Sequence, residues 1–136
     1  MPRANSNGIE LEYELFEPAP AEGARLETIV LIMGLGCQLV HWPDEFVDLL
    51  VAQGFRVVRF DNRDIGLSSK MEGLPAIPRG RFDIPRWLMG ARLKSHYTLR
   101  DMAADTTGLM DALNIDKAHI VGVSMGGMIG QRLAID

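Results

Sequence analysis

Cysteine is nearly absent. Cys37 is the only one, so no disulfide can form within the chain. That scarcity fits a reducing compartment, and a cytoplasmic setting is expected. A surplus of positive charge is absent too: 14 Lys and Arg stand against 18 Asp and Glu, for a net charge of −4. A nucleic-acid binder would show a basic face, so nucleic acid is not an expected partner. No apolar run approaches the ~20 residues of a membrane span. The opening MPRANSNGIELEYE turns polar and acidic at once, unlike a secretory leader. A membrane is therefore not an expected partner. The three histidines and one cysteine show no metal-ligand spacing, and no cofactor is expected. What is present is apolar mass. Hydrophobic residues make up 47% of 136 positions, enough for the core of one modest domain.

That mass is organised. In IELEYEL, residues 9–15, Ile9, Leu11, Tyr13 and Leu15 share one face and three glutamates the other, the period of a half-buried strand near a sheet edge. A Pro/Gly-rich turn follows. TIVLIM, residues 28–33, is apolar on both faces, as a central parallel strand would be. Trp42-Pro43-Asp44 marks a helix start, with Phe46, Val47, Leu49 and Leu50 on its apolar side and Gly54 at its end. FRVVRF, 55–60, is the next strand and DNRDIGLSS, 61–69, a loop. Prolines and glycines interrupt residues 71–97, which read as a lid-like excursion containing a short helix near Trp87. Thr98 and Asp101 have capping-box spacing ahead of a helix whose buried face carries Leu99, Met102, Ala103, Thr106, Met110 and Leu113. AHIVGV, 118–123, is a further strand, and Met125 to Ile135 a further helix. Alternating strands and helices predict an α/β fold, a predominantly parallel sheet with helices on both faces. Ligands of such sheets bind at strand carboxyl ends, where loops 34–43, 61–69 and 124–127 emerge.

Gly122-Val123-Ser124-Met125-Gly126 fits G-x-S-x-G between a strand and a helix. A serine can serve as a nucleophile there because a sharp turn lifts its oxygen clear of the sheet. Side chains two residues to either side would collide, and glycine removes them. The helix that follows points its N-terminus at the reaction site and favours developing negative charge. The bland alternative is a connection that merely happens to use serine and glycine.

At these residues the sequence resembles the α/β-hydrolase family, in its serine esterase and lipase-like branch. LIMGLG is similar to the loop after the family's third strand, with Met33 where relatives often carry histidine. DNRDIGLSS resembles the family's D-x-R-G-x-G-x-S loop, with Asp64 where glycine is common. YTLRDMAADTTGLMDALNIDKAHIVGVSMGG matches the segment leading into the nucleophile elbow, and WPDEF with DNRD is most similar to methylesterase-like members. The resemblance runs from about residue 9 to the end and covers the front part of the family's fold. It implies Ser124 as nucleophile, an oxyanion hole from the backbone N–H groups of Leu35 and Met125, and a small-molecule ester as substrate. Gly34, Gly36, His41 and Trp87 are candidate pocket residues. For His41 a packing or surface role is the alternative, and for Trp87 core packing.

Such a serine needs a base. The family's order, Ser then Asp or Glu then His, puts both partners after Ser124. No histidine follows it, and Asp136 stands twelve residues along a helix, about 18 Å away. His41, His96 and His119 all precede the serine. The strand 118–123 would also leave an apolar edge unpaired. The expectation is that residues 1–136 are the N-terminal part of one domain, with the acid and histidine in a C-terminal part, missing or on a separate chain. Two further readings stay open. One is a non-catalytic truncated homologue that binds a small ligand or a partner. The other is a dinucleotide site from Gly34-Leu35-Gly36 with Asp61, although Leu39 stands where that motif needs its third glycine.

Overall fold

A tight hairpin opens the chain. In a computed structural model, which describes residues 1–19, 26–71 and 96–136, β1 (Arg3–Ser6) pairs antiparallel with β2 (Ile9–Phe16). The two strands join through Asn7 and Gly8, both at positive φ (50° and 78°). That is the backbone a two-residue turn needs to match strand twist. β2 runs antiparallel to β4 (Arg56–Phe60), while β3 (Thr28–Ile32) lies parallel to both β4 and β5 (His119–Gly122). The sheet order is β1-β2-β4-β3-β5. The sheet is therefore mixed: parallel over β4-β3-β5, antiparallel where the hairpin is added. β2 lies next to the edge, as its alternation predicts, with β1 covering it.

β3 is buried along its whole length, and its alternation divides the core. Ile29, Leu31 and Met33 pack with Trp42, Val47 and Val57 beneath α1 (Asp44–Ala52). Val30 and Ile32 pack on the opposite face with Leu11, Phe60, Met102, Leu109 and Ile129, beneath α2 (Leu99–Ala112) and α3 (Met125–Ile135). Helices thus cover both faces, as the strand–helix alternation predicts. In α1 the apolar side is Phe46, Val47, Leu50 and Val51; Leu49 faces solvent. α2 begins at the expected cap: Asp101 N–H donates to Thr98 Oγ1, and Thr98 N–H donates to Asp101 Oδ2 at 2.7 Å. Its buried face includes Asp105, which apolar periodicity does not mark.

β5 is the last strand in the described order, as the unpaired apolar edge read from 118–123 implies, and is only partly buried. Val123, Met128 and Ile135 are exposed beside it. Most of the expected excursion at 71–97, Trp87 included, lies outside the described residues.

A candidate active site at the carboxyl ends of β3 and β5

β5 ends at Gly122, and Val123 N–H still donates to Ile32 O at 3.1 Å, holding the chain against β3 up to the turn. Ser124 then takes φ 54° and ψ −117°, a region that L-residues rarely enter. α3 starts at the next residue. Gly126 N–H donates to Val123 O at 2.9 Å and Gly127 N–H to Ser124 O at 3.0 Å, so the turn closes within one residue of the serine. The tightness explains the glycines. A Cβ on Gly122 would fall inside the backbone of Gly126, and one on Gly126 would fall on the Ile32 carbonyl. Neither obstacle is a side chain that could rotate away. Ser124 is exposed, and its Oγ makes no hydrogen bond to a described residue.

The loop after β3 meets this serine. A Cβ on Gly34 would lie 3.3 Å from Ser124 Cβ and 3.8 Å from its Oγ. Cys37 N–H donates to Gly34 O at 3.2 Å, and Gly36 sits at φ 74°. Residues 34–37 thus form a turn with Leu35 and Gly36 at its tip. Among the described residues, neither the Leu35 nor the Met125 amide donates a hydrogen bond.

The other candidates do not pair with Ser124. His41 is engaged in its own turn, a single turn of 3-10 helix over Leu39–His41, where its Nδ1 accepts from Gln38 N–H at 2.8 Å. His119 opens β5 at the end away from Ser124, 3.5 Å from Glu27. His96 is exposed. None of the three is hydrogen-bonded to Ser124. Asp136 pairs with Arg132 at 2.7 Å at the far end of α3. Cys37 is half-buried against the α1 face of the core. The dinucleotide reading fails on geometry. Asp61, which would have to bind a ribose, is buried, and its two carboxylate oxygens accept from Leu39 and Leu67 N–H. Two cavities are among those found in the described residues. One of about 490 Å³ lies at the opposite end of the sheet, between Glu27, Arg56 and His119. The other is an open groove of about 1120 Å³ along β5 and α3, past Ile120, Gly130 and Leu133.

A family model described as the alpha/beta hydrolase fold matches residues 27–136. The chain belongs to the α/β-hydrolase family. It is 38% identical over 108 residues, 79% of its length, to rhodomycin D methylesterase of Streptomyces peucetius, and covers 30% of that protein. It is 31% identical over 128 residues, 94% of its length, to a putative carbamate hydrolase of Variovorax paradoxus, covering 38% of it. The crystal structure of an enol-lactonase from Burkholderia xenovorans superposes with a TM-score of 0.70 at 32% identity, over 98% of this chain and 41% of that one. These relatives are hydrolases, and the chain spans between 30% and 41% of their lengths.

Around this α/β-hydrolase elbow lies a polar frame that sequence reading caught only in part. Arg63 pairs with Asp105, 42 positions away, through two hydrogen bonds of 2.6 Å. Asp105 also accepts from Asn7 Nδ2, and its carbonyl from Ser6 Oγ at 2.6 Å, so the hairpin, the 61–69 loop and α2 converge there. The Asp105 carboxylate raises the Arg63 pKa, so the guanidinium stays charged. Asp64, at φ 67°, accepts from Met71 N–H at 2.6 Å. Burial, and then the hydrogen bond to Asp64, push the Tyr97 hydroxyl up to about 12. Among the described residues no group of His, Cys, Asp and Glu is placed to hold a metal, and no helix is long and apolar enough to cross a membrane.

Proposed function

We propose that the protein is a serine hydrolase of carboxylic esters that works through an acyl-enzyme, and that it acts in the cytoplasm. Ser124 Oγ attacks the ester carbonyl carbon and its proton passes to a histidine. The tetrahedral oxyanion is held by the N–H groups of Leu35 and Met125. The carbon–oxygen bond to the alcohol breaks, the histidine protonates the leaving alkoxide, and water then hydrolyses the acyl-serine. The histidine and its orienting acid come from a C-terminal part of the fold, which packs beyond β5. One observation carries the reading: an exposed serine in strained backbone stands at the tip of β5, with Gly34 of the β3 loop against it. Among the described residues, the amides of Leu35, next to Gly34, and of Met125, next to the serine, donate no hydrogen bond. The likeness to a methylesterase and an enol-lactonase supports an ester or lactone as the substrate class.

Kinetics test this. The full-length enzyme is expected to hydrolyse p-nitrophenyl acetate, and Ser124→Ala to lose at least ~10⁴-fold in kcat. A folded Ser124→Ala variant that keeps its rate contradicts the assignment.

A further inference from the structure

The loop that carries Leu35 is held at both ends by neighbouring residues of one other loop. At its start, Asn62 Nδ2 donates to Met33 O at 3.1 Å. At its end, Leu39 N–H donates to Asp61 Oδ1 at 2.7 Å. Both bonds are buried, as are both side chains. Asp61 is itself fixed. Its Oδ2 accepts from Leu67 N–H at 3.1 Å, and its carbonyl accepts from Ser68 Oγ at 2.6 Å. Gly66, at φ 48°, leaves the carboxylate its space, since a Cβ there would fall on it. Between the two anchors the chain makes the 34–37 turn that lies against Ser124. Leu35 is exposed and its amide has no partner among the described residues, so nothing at Leu35 itself sets where that N–H points. Its direction is inherited from the anchors.

We infer that Asp61 and Asn62 are positioning residues: together they clamp the 33–39 loop so that the Leu35 N–H faces the oxygen developing charge at Ser124. The inference rests on the reading of Leu35 as an oxyanion donor. Its physical basis is that a preorganised donor acts on the transition state and not on the bound ester, and that a displacement of about 1 Å costs on the order of 100-fold in rate. A carboxylate suits the task because it accepts two backbone N–H groups at once. Asn in its place can accept one, and turns an N–H₂ toward the other.

The test uses the full-length enzyme with p-nitrophenyl acetate as substrate and phenylboronic acid as a tetrahedral-adduct probe. Asp61→Asn is expected to lower kcat about 10- to 100-fold, with KM held within about 2-fold. Its inhibition constant for phenylboronic acid should rise in step with the fall in kcat. A folded variant with unchanged kcat and unchanged boronate affinity overturns the inference, as does a rise in KM alone. Asn62→Ala, which frees the other anchor, is expected to give the same split and carries the test if Asp61→Asn does not fold. If neither folds, by thermal unfolding, the pair holds up the fold and not the loop, and the inference fails. Ser124→Ala, assayed alongside, separates the two levels. An inactive Ser124→Ala beside a normal Asp61→Asn sinks the clamp alone; an active Ser124→Ala takes the nucleophile and the clamp down together.

Discussion

Ser124 occupies backbone space that glycine enters freely and other residues enter at a cost of about 1–3 kcal/mol. The glycines at 122 and 126 do not supply that strain; they remove the collisions that would stop the turn from closing. An inverted substitution pattern follows. At most positions Gly is less stable than Ala by about 0.5–1 kcal/mol. At position 124, Ser124→Gly is expected to be more stable than Ser124→Ala by about 1 kcal/mol, because it releases the strain that Ala retains. Chemical denaturation of the two variants checks this; an Ala variant as stable as the Gly variant would mean that the φ of 54° is not held in solution.

Whole elements are held by polar contacts as well as by the apolar core. α2 starts at a reciprocal cap in which hydrogen bonds from Thr98 hold the Asp101 carboxyl below its ordinary value of 3.8. A depressed folded-state pKa stabilises the protein above the unfolded value, and that contribution is lost as pH falls through the folded one. Asp101→Asn, which mimics the protonated side chain, is expected to cost about 0.5–1 kcal/mol at pH 7. The gap from wild type should close as pH drops below about 4. Unfolding curves across that range read it directly, and a gap that widens on acidification contradicts the cap's charge state. This cap was legible because it is local, three residues from donor to acceptor. The Arg63–Asp105 pair was legible only by half. The arginine stands in a loop whose sequence is recognisable, but nothing in a periodicity marks Asp105 on a helix 42 positions on. β1 went unseen because RANS has no apolar alternation, although Asn7-Gly8 before IELEYEL is a hairpin signal that was available.

For the molecule as a whole, the apolar pattern announced the layers correctly. A strand apolar on both faces has to be covered twice, and β3 is. The same pattern in residues 118–123 implied an unpaired apolar edge, and β5 does end the described strand order, with Val123 exposed and an open groove beside α3. The elbow was legible for a covalent reason: its glycines and serine are consecutive, so the motif is written in one stretch. The meeting of Gly34 with Ser124 is a tertiary fact, 90 positions apart in the chain, and only the packing of β3 beside β5 produces it. On the proposed reading, that meeting is what distinguishes Ser124 from an ordinary surface hydroxyl. Its most direct test is covalent. The full-length enzyme, treated with a fluorophosphonate and digested, is expected to carry a single phosphonyl group on the peptide containing Ser124, and none after Ser124→Ala. Label on another residue, or none on a folded protein that still cleaves esters, would contradict it.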